Sequence, residues 1–203
     1  SYLKNQSVVV CGQKYIQFPD SKVPLSSKYP TFNFNYTKGI NKIFGSDVNF
    51  DKWRLSVSDD KNFKLAGLLK YKIGIGGFLN AKNVFIQDYQ HFTGNRSTRA
   101  SEYVNSFQMA HYYMYSTTSS FYAYGHLEHH FNGLITNKIP LFKRLNWNLV
   151  AGSNALYVNK LSNHVEVFAG IENILKLFRV DVVAGIDKGS PNRLAVRIGY
   201  GGL

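Results

Sequence analysis

Three alternating residues, His126, Glu128 and His130, form the set of side chains best suited to chemistry in this chain. In an extended strand they share one face, about 6.5–7 Å apart at successive positions. Imidazole nitrogens and a carboxylate are ligands for zinc, so a metal site is one interpretation. Successive same-face residues diverge along a strand, so a shared ion would need a bend or a ligand from elsewhere. We favour a hydrogen-bonded polar network, and we predict neither a metal nor a cofactor.

Charged residues also alternate with apolar ones in two segments farther along the chain. Arg179 and Asp181 lie in the first segment, and Arg193 and Arg197 lie in the second. If these segments form neighbouring antiparallel strands, the four side chains share one face. Cross-strand pairs of opposite charge contribute only about 0.2–1 kcal/mol each, so we expect them to solvate a polar interior and to fix strand register. The predicted network in the lumen of a barrel therefore contains His126, Glu128, His130, Arg179, Asp181, Arg193 and Arg197.

Catalytic chemistry has little support in the sequence. Ser119 and Ser120 lie near His126 in the sequence, and a serine nucleophile with a histidine base is the pair that a hydrolase needs. No nucleophile elbow or oxyanion glycine pattern accompanies them. The single cysteine, Cys11, excludes an internal disulfide and a cysteine-rich metal site. We therefore predict a protein that acts by its architecture and is not an enzyme.

Alternation with a period of two residues indicates the elements that position these side chains. In residues 63–77 every odd position is apolar or glycine, whereas Lys64, Lys70 and Lys72 occupy even positions. Such a strand presents one face to an apolar medium and the other to water. Soluble strands are commonly about 5–6 residues long, and a tilted strand crosses a bilayer in about 9–11. The segment is long enough to cross a membrane.

The same pattern recurs along the chain and predicts about ten strands joined by turns, with a short helical turn at 172–177 as the only helix candidate. No apolar run approaches the roughly 18 residues that a membrane helix needs, so any spanning segments are strands. The predicted strands cover residues 8–17, 31–37, 53–58, 63–77, 102–115, 120–131, 145–151, 164–170, 178–187 and 193–200.

The distribution of charge favours a membrane barrel over a soluble one. Arg, Lys, Asp and Glu lie on one face of these strands, and the opposite faces are almost free of charge. A soluble sandwich or lipocalin-like barrel instead fills its interior with apolar side chains. The net charge of +12 is spread along the chain and not clustered, so we expect no nucleic-acid partner. We predict an antiparallel transmembrane β-barrel in the bacterial outer membrane, in contact with its lipid or lipopolysaccharide.

Three stretches, in this order and spacing, match motifs of a known family. They are Tyr-Pro-Thr-Phe-Asn-Phe-Asn-Tyr at 29–36, His-Leu-Glu-His-His-Phe-Asn-Gly at 126–133, and Glu-Val-Phe-Ala-Gly-Ile-Glu-Asn at 166–173. They resemble the C-terminal barrel, of unknown function, of Bacteroidota carboxypeptidase-regulatory-like-domain proteins, over residues 29–203. The family's N-terminal β-sandwich has no counterpart here. The resemblance implies that residues 1–203 are a single outer-membrane barrel domain, the C-terminal portion of a longer protein.

A second resemblance concerns function. Residues 69–80, followed by 91–96, are similar to the part of BamA-like barrels that leads into an inward-folded loop with a lumen-facing Arg-Gly pair. This chain has Arg96-Ser97-Thr98-Arg99 there, without the glycine. The resemblance implies a component of envelope assembly or protein translocation, with other envelope proteins as partners. A structural or scaffolding subunit of a larger outer-membrane complex is the alternative, and a barrel-embedded metal-dependent or lipid-hydrolysing enzyme is a more distant one.

Overall fold

The computed structural model describes residues 2–25, 27–42, 45–133, 136–159, 163–187 and 193–200. The chain is all-β and antiparallel, as predicted. Nine of the eleven strands within these ranges form one sheet in the order β1-β4-β5-β6-β7-β8-β9-β10-β11, and β2 and β3 form a separate hairpin. The strands are β1 (Tyr2–Val10), β2 (Tyr15–Gln17), β3 (Lys22–Pro24), β4 (Thr31–Gly39), β5 (Asn49–Asn62), β6 (Leu68–Asn83), β7 (Tyr122–Phe131), β8 (Asn148–Val158), β9 (His164–Ile174), β10 (Phe178–Asp187) and β11 (Arg193–Tyr200).

Long strands dominate the sheet. β5 has 14 residues and β6 has 16, well beyond the usual length of about 5–6. Within the described ranges, the outermost strands β1 and β11 each pair with a single neighbouring strand, β4 and β10 respectively, and not with each other. No helix in this part of the chain is long and apolar enough to cross a membrane.

Turns shift or divide two of the predicted strands: 63–77 is replaced by β6 at 68–83, and 8–17 is divided between β1 and β2. Residues 63–67 form a tight turn before β6: Gly67 has φ +111°, and the Asn62 side chain accepts the backbone N–H of Lys64 at 2.7 Å. The predicted strand 8–17 is broken at Gly12, whose φ of +63° favours glycine. Alternation of apolar and polar residues does not predict such local reversals of the backbone.

The only α-helix among the described residues lies elsewhere than predicted. α1 (Pro140–Leu145) begins with proline, whose fixed φ suits a first turn, and ends at Asn146 in the left-handed conformation. The expected helical turn at 172–177 is wrong, because β9 continues to Ile174 and a tight turn then leads into β10. Leu145, predicted to start a strand, belongs to α1.

A long connection between β6 and β7, residues 84–121, folds back over one face of the sheet. We call this connection the inner segment, the face that it covers the inner face, and the opposite side the outer face. The predicted strand 102–115 is wrong, because these residues belong to the inner segment. Phe107, Ala110 and Tyr115 pack against β7 and β8, while Tyr103 and Met109 pack against β9 and β10. The aromatic residues of this stretch anchor an irregular segment to the sheet.

The free edge of β11 also receives the inner segment. The N–H of Ala100 donates to the carbonyl of Ile198 at 2.8 Å, and the N–H of Ile198 donates to the carbonyl of Thr98 at 2.9 Å. A short parallel bridge therefore ties the inner segment to the last strand.

The polarity of the two faces of the sheet is the reverse of that in a soluble protein, which buries apolar side chains and exposes charged ones. On the inner face, His164, Glu166 and Asp181 are fully buried. The outer face exposes large apolar side chains from neighbouring strands, which include Ile73, Leu127, Val167, Val182, Val196 and Ile198. Ionised groups are thus enclosed and apolar groups are exposed.

Close approach of β6 and β7 depends on glycine. Gly74 and Gly76 face Tyr124 and Tyr122 in the cross-strand register, and a Cβ at either glycine would collide with the tyrosine ring. We expect Gly74→Val to displace Tyr124 and lower the free energy of unfolding by about 1–3 kcal/mol, measured by urea titration. Gly125→Val is the matched control, since a Cβ at Gly125 has open space around it. Equal effects of the two substitutions would contradict this explanation.

Candidate functional site

All residues of the predicted polar network lie on the inner face, but they do not form one cluster. Those from β7 are His126, Glu128 and His130. They stand beside β8, whereas the arginines and the aspartate belong to β10 and β11 at the far side of the sheet. The structure places all of them except His126 in two largely buried clusters, which also contain residues that were not predicted.

The first cluster is centred on Arg179, which is only 6% exposed. Its Nε donates to both oxygens of Asp181, at 2.9 and 2.7 Å, and its Nη1 pairs with Glu128. Tyr103 of the inner segment donates its hydroxyl to Asp181 Oδ2 at 2.8 Å and places its ring 4.3 Å from the guanidinium carbon. Burial and the adjacent carboxylate raise the pKa of Tyr103, which keeps the phenol protonated as a donor.

Arg179 reaches Glu128 across two intervening strands, β8 and β9. Glycines make this possible: Gly152 lies opposite Glu128 in the register, and Gly170 lies opposite Asp181. A Cβ at Gly170 would collide with the Asp181 carboxylate, and one at Gly152 would meet the backbone of β7. Small residues on the intermediate strands thus let one cation bridge two distant carboxylates.

His130 extends this first cluster towards solvent. Its Nδ1 lies 2.8 Å from Glu172 Oε2, and its Nε2 lies 3.7 Å from Glu128 Oε1. These side chains line a polar cavity of about 1060 Å³ at the end of the sheet. Further charged residues at the cavity are Lys70, Arg99, Glu102 and Lys176.

The second cluster is centred on Glu166, which receives the backbone of the inner segment. Its Oε2 accepts the N–H of Gln108 at 2.7 Å, and its Oε1 accepts the N–H groups of Met109 and Ala110 at 2.5 and 3.2 Å. Arg197 binds the same stretch from the other direction, because its Nη2 and Nε donate to the carbonyl of Gln108 at 2.6 and 3.1 Å. One carboxylate and one guanidinium therefore hold the same short length of main chain.

A buried histidine links Glu166 to the edge of the sheet. His164 Nε2 lies 2.7 Å from Glu166 Oε1, and His164 Nδ1 pairs with Asp187. Since both ring nitrogens face carboxylate oxygens, both must donate, and the imidazole is cationic. Asp187 also pairs with Arg193 and accepts the hydroxyl of Tyr115 at 2.6 Å. The result is a chain of alternating charges that is buried from Glu166 to Asp187 and ends at the partly exposed Arg193.

Groups of the inner segment complete the second cluster. Arg193 Nη1 lies 2.8 Å from His111 Nε2. Burial, with Arg96 and Arg193 nearby, lowers the pKa of His111, so the ring is neutral and can accept from the guanidinium. Burial beside Asp187 raises the pKa of Tyr115, so that its hydroxyl remains a donor.

The β7 residues do not converge on a shared ligand position. His126 Nδ1 contacts Asn154 Oδ1 at 3.0 Å, and its ring packs on Phe107, whereas Glu128 pairs with Arg179 and His130 with Glu172. Across the described ranges, no three His, Cys, Asp or Glu residues are grouped as metal ligands. Ser119 donates to the carbonyl of Asn159 at 2.8 Å, so it does not form the pair with His126 that a hydrolase requires. These side chains are therefore engaged in separate structural contacts.

The acidic and histidine residues of β9 and of the end of β10 belong to the network but were not predicted as members of it. Their alternation with Val165 and Val167 was available as a signal, because it places them on the same face as Phe168. No sequence pattern predicts that Tyr103, Gln108 and Tyr115 join the network, because these residues lie in an irregular segment. The missed residues of the strands are Asn154, His164, Glu166, Glu172 and Asp187.

Comparison with known proteins identifies a family. The model of the C-terminal domain of the family of unknown function DUF5686 matches residues 3–171. No curated protein and no solved structure matches the chain significantly. Because the match covers most of the sequence, this chain belongs to the DUF5686 C-terminal domain family.

Proposed function

We propose that this domain is the membrane-spanning sheet of an outer-membrane β-barrel, that it is not an enzyme, and that it serves in envelope assembly or protein translocation. The observation that carries the proposal is the inverted distribution of polarity. Glu166 and Asp181 are fully buried on the inner face, while Val182 and Val196 are each about half exposed on the outer face, at 53% and 51%. In water this would leave a broad apolar surface uncovered. In a bilayer the same surface is in contact with acyl chains.

Strand length and sheet topology agree with this proposal. The strands from β5 to β10 have between 10 and 16 residues, and a tilted membrane strand needs about 9–11. Their up-and-down order is that of membrane barrels, in which each strand pairs with its sequence neighbour. The resemblance to barrels of Bacteroidota envelope proteins points in the same direction and supports placing the domain in the outer membrane.

The two outer strands of the sheet support a role in assembly. Hydrocarbon cannot satisfy backbone N–H and C=O groups, so partner strands are needed in a membrane along β1 and along the part of β11 that the inner segment does not cover at Ile198. We infer that further strands of a longer polypeptide close the barrel there. Such edges can also add a strand from another protein, which is the physical basis of an assembly or translocation role.

A charge placed on the outer face tests whether this face meets lipid. We expect Val182→Arg, near the middle of β10, to lower the free energy of unfolding in lipid vesicles by about 2–4 kcal/mol, measured by urea titration. Leu175→Arg is the matched control, because Leu175 is 79% exposed in the turn after β9 and lies outside the sheet. If the chain were stable in water without detergent and both variants shifted stability by less than about 0.5 kcal/mol, the membrane proposal would be wrong.

Depletion of the protein in its native cells tests the assembly role. We expect other barrel proteins to be lost from the outer membrane, as measured by their folded fraction in membrane extracts. Normal insertion of other barrels would contradict the role.

A scaffolding subunit of an outer-membrane complex is the second candidate. It is favoured by the connection between β1 and β4, where the β2–β3 hairpin exposes apolar side chains away from the main sheet. Tyr15, Phe18 and Tyr29 are each about half exposed there, at 60%, 49% and 58%. Copurification of fixed envelope partners that is lost when this connection is made polar, with barrel insertion unchanged, would support scaffolding over assembly.

A further inference from the structure

We infer that the outer face carries a binding groove for one anionic glycerophospholipid, with an acyl chain in the groove and the phosphate on the cations of α1. The groove has a volume of about 590 Å³ and lies across β8, β9 and β10. This inference rests on the proposal that the outer face contacts acyl chains. The groove is then the one place on the described sheet where we expect a lipid to be bound specifically.

Small residues form the floor of the groove. Ala151 of β8 and Ala169 of β9 lie directly opposite each other in the register, and Val182 of β10 follows Ala169 in the same row. Larger apolar side chains surround this depression. The walls are Phe131, Trp147, Leu149, Ile171, Ile174 and Val180. A sheet that alternated large residues throughout would present a smooth surface, whereas this one leaves a channel along the strands.

The helix α1 lies at one end of the groove. The Phe142 ring packs edge-on against Trp147 with ring centroids 5.7 Å apart, and the N–H of Trp147 donates to the carbonyl of Phe142 at 3.0 Å. These contacts fix the helix beside the groove wall. Trp147 has the amphipathic character of residues at the boundary between acyl chains and headgroups.

The exposed side chains of α1 supply the charge. Lys143 and Arg144 are exposed, and so are the apolar Leu141 and Leu145 on the same short helix. A helix that exposes both apolar and basic side chains suits the interface plane, where its cations attract anionic headgroups. No carboxylate lies among residues 136–151. The apolar groove and the cationic pair are therefore complementary to one molecule that has a chain and a phosphate.

A glycerophospholipid fits this geometry better than lipid A does. The groove is a single channel, and α1 itself carries one adjacent basic pair, Lys143 and Arg144. Lipid A carries several chains and paired phosphates, which one channel and one cation pair would leave mostly uncontacted.

The two tryptophans of the chain allow a direct test. Trp53→Phe leaves Trp147 at the groove, and Trp147→Phe leaves Trp53 of β5, which follows the same alternation as the outward Leu55. The full chain is placed in phosphatidylcholine vesicles that contain a small fraction of acyl-brominated lipid, either phosphatidylglycerol or phosphatidylcholine. We expect brominated phosphatidylglycerol to quench Trp147 at least about twofold more than brominated phosphatidylcholine, and both lipids to quench Trp53 equally.

Two further variants separate the headgroup from the chain. The double variant Lys143→Gln, Arg144→Gln should abolish the preference for phosphatidylglycerol, and Ala169→Leu should fill the groove and remove the excess quenching. Equal quenching of Trp147 by the two brominated lipids would overturn the inference and leave the membrane proposal intact. Absence of quenching at both tryptophans would instead refute the membrane proposal. Displacement of the excess quenching by lipid A, but not by unlabelled phosphatidylglycerol, would overturn the assignment to a glycerophospholipid.

Discussion

Replacing Glu166 with alanine is expected to detach the inner segment and to lower the free energy of unfolding by about 3–5 kcal/mol. The carboxylate accepts backbone N–H groups from Gln108, Met109 and Ala110, so its loss leaves buried donors without an acceptor. It also leaves the imidazolium of His164 with one carboxylate in place of two. Thermal unfolding in detergent would measure the loss of stability, and limited proteolysis would detect new cleavage between β6 and β7.

Glu102→Ala is the matched control for this experiment. Glu102 belongs to the inner segment itself and is exposed, so we expect its replacement to change stability by less than about 0.5 kcal/mol. Glu166→Gln should have an intermediate effect, because an amide oxygen can still accept a backbone N–H but no longer balances the charge of His164. Unchanged protease resistance in Glu166→Ala would show that apolar packing alone holds the segment.

Replacing Arg179 with methionine is also expected to lower the free energy of unfolding by about 3–5 kcal/mol, but for a different reason. The change leaves Glu128 and Asp181 buried and ionised without the cation that lies between them. The same measurement of unfolding applies. Lys176→Met, an exposed basic residue at the rim of the same cavity, is the control and should have little effect.

A combined variant distinguishes loss of pairing from loss of packing. Glu128→Gln and Asp181→Asn remove the negative charges that Arg179→Met leaves behind, so the triple variant should recover much of the lost stability. If the triple variant were as unstable as Arg179→Met alone, the arginine would act through packing on Tyr103 and not through charge.

Alternation in the sequence predicted which way side chains point, because that direction follows from the local geometry of a strand. His126 and Glu128 on the one hand, and Leu127 on the other, are on opposite faces as expected. The same reasoning failed at 63–67 and 102–115. At 63–67 the backbone reverses through residues with positive φ, and at 102–115 the residues are held by contacts with distant strands. Period alone therefore predicts faces well and predicts strand ends poorly.

The partners of the buried charges could not be read from the sequence. Gln108 and Glu166 are 58 residues apart, and Gln108 and Arg197 are 89 residues apart. Arg179 reaches Glu128 only because glycines occupy the strands between them. Such pairings depend on the order and stagger of the whole sheet, which no single segment specifies.

The inner segment has a consequence for the order in which the domain matures. It precedes β9 and β11 in the chain, yet Glu166 and Arg197, which bind its main chain, belong to those later strands. In a chain that is synthesised from its N-terminus, residues 84–121 therefore cannot complete their contacts until the last hairpin has formed. Contacts between residues so far apart in the sequence also form slowly. Chaperones that bind unfolded chains would therefore find this stretch, which is rich in tyrosine and phenylalanine, accessible until the last strands have formed.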